Sequence, residues 1–87
     1  MEKSFTIKNL LGMHARAAAA FVKTANRFQS DVLISKDRQT VNGKSIMGVL
    51  MLAAAKGSRV VVRAEGEDAE EAMQALTELI ENKFGEE

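Results

Sequence analysis

The chain carries one histidine and no cysteine, so nucleophilic chemistry near neutral pH falls first on His14. His14 stands in "LLGMHARAAAAF", residues 10–21, after Gly12 and Met13 and at the head of a run of alanines. Gly12 permits an unusual backbone conformation just before it. Arg16, two residues on, supplies a forked cationic donor. A residue at the mouth of a helix faces backbone N–H groups without intrahelical partners and the positive end of the dipole. Such a place binds phosphate and other anions. Ala15, Ala17 and Ala18 are small and let an anion or a partner protein approach closely. Together these residues suggest a histidine that accepts a phosphoryl group, whose oxygens the helix N-terminus and Arg16 then hold. They also fit an ordinary polar loop histidine beside a helix start, and spacing alone favours that reading, because short patterns match by chance.

Other chemistries fare worse. No nucleophile elbow accompanies His14, which disfavours an acyl-transfer triad. Without cysteine there is no disulfide framework, thiolate zinc site or catalytic thiol. A lone histidine with only carboxylates to join it speaks against a metal site, and no cofactor is expected. Twelve basic residues balance twelve acidic ones, so no global field draws DNA or an anionic membrane. The start "MEKSFTIKNL" lacks the apolar core of a signal peptide, and no apolar run reaches the length of a membrane span. The expectation is a cytoplasmic protein, monomeric, without direct membrane insertion.

The elements that must position His14 are legible from periodicity. At 87 residues the chain reads as one domain over 1–87, with an aliphatic core because its only aromatics are four Phe. Phe5 and Ile7 alternate with Thr6 and Lys8, which predicts a strand over about residues 3–8, followed by a loop from Asn9 to Met13. Ala18, Phe21, Val22, Ala25 and Phe28 recur at helical spacing, giving an amphipathic helix from Ala15 to about Arg27. "DVLISKD" alternates, with Val32 and Ile34 on one face. Asp37 and Arg38 form a tight turn into a short strand around Thr40 and Val41, and Asn42-Gly43 is a further turn signal. Ser45 stands where an N-cap belongs, ahead of "IMGVLMLAA", and Gly57 reads as the C′ residue of that helix. "SRVVVRAE" places Val60, Val62 and Ala64 inward. "DAEEAMQALTELIENKF" is a helix with Asp68 and Glu71 as a capping box and Met73, Leu76, Ile80 and Phe84 as its buried stripe. Arg63, Glu67 and the acidic tail read as solvated surface. The order β-α-β-β-α-β-α implies an α+β fold of two layers, with helices over one sheet face. That order leaves the sheet topology open, since a ferredoxin-like fold begins with the same series.

"GMHARAA" resembles the Gly-Leu-His-Ala-Arg-Pro-Ala motif of HPr, the histidine-containing phosphocarrier family of the phosphoenolpyruvate-dependent sugar phosphotransferase system. "NGKSIMGVLMLAA" resembles that family's second signature, around its regulatory serine, and the element order agrees over the whole chain. The resemblance implies an HPr-like open-faced β-sandwich whose four-stranded antiparallel sheet runs 1-4-2-3. It implies phosphorylation of His14 on Nδ1 by enzyme I and transfer to a histidine of an enzyme IIA domain of a sugar permease or regulator. Arg16 would steady the phosphoryl group, with backbone donors from Ala15, Arg16 and Ala17. The protein would then be a carrier that needs partner enzymes rather than an enzyme itself.

The same resemblance makes Ser45 a regulatory phosphorylation site, with HPr kinase/phosphorylase as the partner in many bacteria. Within "IMGVLML", Val49, Leu52 and Ala53 are expected to pack inward, while Ile46, Met47 and Leu50 form an exposed docking patch. A phosphate on Ser45 would place about two negative charges beside that patch and oppose docking. Two positions depart from the family motif. Met13 replaces Leu, a mild exchange, and Ala17 replaces Pro, which adds an N–H at the phosphate site. The alternative reading is a regulatory HPr paralogue, acting in a nitrogen-type relay or mainly through Ser45 and protein binding. A ferredoxin-like nucleic-acid-binding domain is disfavoured, because the chain has neither Tyr nor Trp and no net positive charge.

Overall fold

Alternation of apolar residues leaves each strand one face to bury, and the computed structural model, which describes residues 1–86, shows how the strands use it. Strands β1 (Glu2–Thr6), β2 (Asp31–Lys36), β3 (Gln39–Asn42) and β4 (Arg59–Glu65) form a sheet of order β1-β4-β2-β3, antiparallel at each pairing. This is the order implied by the HPr resemblance, and it settles the topology that element order left open. Register aligns the core residues: Phe5 stands opposite Val60, Val62 opposite Ile34, and Ala64 opposite Val32, all buried. The other face, carrying Leu33, Ser35, Val61 and Arg63, is half-buried or exposed.

Helices α1 (Ala15–Ala25), α2 (Ile46–Met51) and α3 (Ala69–Glu81) complete the second layer, with α1 packed against both of the others. Phe21, Val22, Val49, Leu76 and Ile80 join the sheet residues in one apolar cluster. Burying each such side chain contributes roughly 1.5–3 kcal/mol relative to leaving it in water.

The element ends differ from expectation for local reasons. β1 stops at Thr6 because Ile7 leaves the ladder to bond the turn before β4, donating to Ser58 O and accepting from Gly57 N. Helix α1 ends at Ala25 rather than near Arg27. The Asn26 side chain donates to Val22 O at 3.0 Å, while Arg27 and Phe28 make i→i−3 bonds. Phe28, expected on the buried stripe, is therefore only partly buried.

Helix α2 is shorter than the nine residues of "IMGVLMLAA". Leu52 and Ala53 turn back by i→i−3 bonds, and Ala53 takes the left-handed conformation (φ 50°) expected of Gly57. Ala53 is exposed and Ala54 is buried in its place, while Gly57 (φ 90°) belongs to the turn that bonds Ile7.

The capping box expected at α3 does not form. The Asp68 carboxylate instead accepts from Gln29 N, Ser30 N and Ser30 Oγ, which ties the start of α3 to the start of β2. The Ser30 hydroxyl, followed by the Gln29 amide, holds the Asp68 carboxyl below its ordinary value. Phe84 is buried, but from a separate left-handed turn over Lys83–Gly85 rather than from the stripe of α3.

Candidate functional site

The loop that carries His14 is fixed before the helix begins. Gly12 has φ 67°, and a Cβ there would lie 2.6 Å from Ala54 O and 2.8 Å from Ala55 Cα, so only glycine fits. Met13 N donates to Ala54 O at 2.8 Å and the Met13 side chain is buried. These contacts clamp the loop against the chain after α2. Asn9, fully buried, completes the clamp: its Nδ2 donates to Gly12 O at 2.7 Å, and its backbone carbonyl accepts from Gly12 N.

His14 is the N-cap of α1 in extended conformation (φ −78°, ψ −178°), and its side chain does not cap the helix. The first backbone bond of α1 runs from Ala18 N to His14 O at 2.8 Å. The N–H groups of Ala15, Arg16 and Ala17 precede it and have no intrahelical acceptor. Ala15 and Arg16 are exposed, whereas the Ala17 methyl is fully buried, so Ala17 offers the site its backbone alone. The structure thus brings His14, Arg16 and three backbone donors to one helix mouth, where the dipole favours negative charge.

An acidic residue completes this cluster, and sequence reasoning passed it over. Glu86, placed with the solvated tail, has a side chain only 15 % exposed, and its Oε2 lies 2.6 Å from His14 Nε2 and 3.5 Å from Arg16 Nε. Its Oε1 accepts from Asn9 Nδ2 at 3.0 Å. Burial works to raise the Glu86 carboxyl. The hydrogen bonds from Asn9 and His14, with the charges of His14 and Arg16, outweigh it and hold the group below its ordinary value. No local motif announces this: Glu86 reaches the site through the Lys83–Gly85 turn, 72 positions from His14. Among the described residues no cluster of three or more His, Cys, Asp or Glu could hold a metal ion, and no helix is long and apolar enough to cross a membrane.

Ser45 lies at the N-terminus of α2, where its Oγ accepts from Gly48 N at 3.1 Å. Beyond it Ile46 and Met47 are exposed, Met47 by 71 %. Leu50 is not: it is half-buried and packs on the core. Met51 is exposed instead. Leu10 and Leu11 add exposed apolar surface by His14 and line a cleft with Arg16, Gly85 and Glu86. Two leucines in a polar-flanked loop were a signal of this that periodicity analysis does not weigh.

The chain is similar to known proteins over nearly its whole length. The family model described as the PTS HPr component phosphorylation site matches residues 1–82. Phosphocarrier protein HPr of Xylella fastidiosa is 51% identical over 86 residues, covering 99% of this chain and 97% of the relative. The crystal structure of HPr-C-His from Thermoanaerobacter tengcongensis superposes with a TM-score of 0.96 at 52% identity, covering 100% of this chain and 98% of that one. A crystal structure of an HPr dimer from the same organism superposes at 0.81, also at 52% identity, with 94% of each chain covered. With a sheet of the expected order, two signature motifs and relatives that match over nearly the full length, the chain belongs to the HPr family of phosphocarrier proteins.

Proposed function

We propose that the protein is a single phosphocarrier domain over residues 1–87 that accepts a phosphoryl group on His14 Nδ1 from phosphoenolpyruvate-charged enzyme I. It passes the group to enzyme IIA components of sugar permeases. The observation that carries this reading is the placement of His14 at the mouth of α1, beside the free N–H groups of Ala15, Arg16 and Ala17. Those donors would hold phosphoryl oxygens, and the exposed Arg16 side chain, 3.5 Å from Glu86 Oε2, would turn onto the same oxygens. A phosphoryl group on an imidazole nitrogen keeps a high transfer potential. Transfer then depends on positioning and charge stabilisation, much of which a partner enzyme can bring. No metal or organic cofactor enters the step, and the protein acts as a carrier in the cytoplasm rather than as an enzyme.

Ile46 and Met47 form the docking surface for both partners, joined by the exposed Met51 of the same helix and by Leu10 and Leu11 of the loop before His14. Leu50 supports that surface from beneath. Ser45 is a regulatory phosphorylation site for a kinase of the HPr kinase/phosphorylase type, because a phosphate there stands at the edge of the patch. The carrier works as a monomer, which sedimentation at micromolar concentration tests.

Reconstitution tests the relay. Enzyme I, labelled phosphoenolpyruvate, this protein and an enzyme IIA domain are combined, and label on the IIA domain is followed. Label should reach the IIA domain with wild type and not with His14→Ala. Equal label with both proteins would overturn the reading.

A further inference from the structure

We propose that Glu86 is a positioning residue for His14: it holds the imidazole with Nε2 protonated and Nδ1 free to attack phosphorus. The inference rests on the reading of His14 as the phosphoryl acceptor.

An ionised carboxylate can only accept a hydrogen bond. With Glu86 Oε2 at 2.6 Å, the proton of the neutral ring resides on Nε2, and the lone pair is left on Nδ1. Nδ1 does not cap α1, and it makes no hydrogen bond among the described residues. The contact also fixes which way the ring faces.

Glu86 is itself held in place. The Asn9 amide donates from one nitrogen to two acceptors, Gly12 O and Glu86 Oε1, which fixes the orientation of that amide. Its own Oδ1 is left buried without a partner, an unfavourable arrangement that serves to aim the nitrogen. On the other side, Lys83 and Phe84 take left-handed conformations (φ 55° and 56°) unusual for residues with a Cβ. Phe84 is buried and anchors that turn, which delivers Glu86 to the ring. A buried amide and a strained turn thus converge on one carboxylate, and that carboxylate meets His14.

In the transfer, the Nδ1 lone pair forms a bond to phosphorus as the bond from phosphorus to the donor's leaving atom breaks. That atom departs with its electron pair. Positive charge develops on the imidazole, whose Nε2 keeps its proton, and the Glu86 carboxylate stabilises it. In the onward step the N–P bond breaks, its electron pair returns to Nδ1, and the phosphoryl group moves to the acceptor. Arg16 Nε, 3.5 Å from the same Glu86 oxygen, offsets repulsion between carboxylate and phosphoryl group.

Nitrogen-15 NMR of the His14 ring in the unphosphorylated protein tests this at pH about 9, above the ordinary imidazole range. In wild type, Nε2 should resonate as a protonated nitrogen and Nδ1 as an unprotonated one. In Glu86→Ala the two shifts should move toward each other as tautomers mix. Glu86→Gln, whose amide oxygen still accepts from Nε2, should stay near wild type. The initial rate of phosphorylation by enzyme I should fall about threefold to tenfold in Glu86→Ala, the effect of losing one orienting hydrogen bond. Unchanged ring shifts in the alanine variant, or phosphorylation as fast as wild type or faster, would overturn the proposal. The NMR readout needs no phosphotransfer. If wild type takes up no phosphate, the acceptor reading fails, while the ring shifts still report on Glu86.

Discussion

The buried Asn9 amide nitrogen donates to Glu86 Oε1 at 3.0 Å, joining residues 77 positions apart. The bond ties the loop before His14 to the tail that follows α3. The imidazole is thereby held at Nε2 by a carboxylate that the loop itself fixes.

The pH at which this clasp opens follows from the Glu86 carboxyl. Burial raises it, but the Asn9 and His14 hydrogen bonds and nearby positive charge leave it below the ordinary value. A carboxyl depressed in the folded state stabilises that state above its unfolded value, and the contribution is lost as pH falls through the folded value. The clasp should therefore persist through neutral and mildly acidic solution and open only below the ordinary carboxylate range. Titration of the Glu86 side-chain carbon and of the Asn9 amide protons should share that acidic midpoint. A midpoint at or above the ordinary carboxylate value would contradict the assignment.

Gly12→Ala should destabilise the protein by about 2–4 kcal/mol, combining a left-handed backbone with a Cβ forced against the Ala54 carbonyl. Urea unfolding measures it. The same variant should shift the amide resonances of residues 13–16, because the loop that aims His14 must move. A loss under about 0.5 kcal/mol would mean that the chain after α2 yields easily.

Asp68→Asn should lower the melting temperature at neutral pH, since the carboxylate accepts three hydrogen bonds from Gln29 and Ser30. The Ser30 hydroxyl, then the Gln29 amide, depress the Asp68 carboxyl, so its contribution is present above the ordinary carboxylate value and fades as pH falls through the folded one. The difference between wild type and variant should shrink in acid. A difference independent of pH between 7 and 2 would point to shape rather than charge as the cause.

Ser45→Ala should cost about 1 kcal/mol by removing the acceptor of the Gly48 N–H. Phosphorylation at His14 should continue in this variant, as measured by intact mass, because the two residues stand at the N-termini of different helices. Loss of phosphorylation in folded Ser45→Ala would mean that the caps are coupled.

The strands and helices were legible because their apolar periods are strong. Val60, Val62 and Ala64 alternate cleanly, and Met73, Leu76 and Ile80 share one face of α3. Boundaries went astray where a side chain or a distant backbone group took over the last hydrogen bonds, as Asn26 does at Val22 O and Ser58 does for Ile7 N. Asp68 misled for a related reason: its sequence suits a capping box, but the backbone of residues 29–30 offers it more donors. His14, Arg16 and Ser45 could be singled out locally, since their positions depend on nearby helix starts. Glu86 and Asn9 could not, because nothing in either neighbourhood encodes a contact closed by the whole fold.

The central claim is that His14 accepts a phosphoryl group, and intact mass spectrometry after incubation with enzyme I and phosphoenolpyruvate tests it most directly. Wild type should gain one phosphate that is lost in acid, and His14→Ala should gain none. Folded wild type without phosphate beside an active control carrier, or equal phosphate on His14→Ala, would contradict the account.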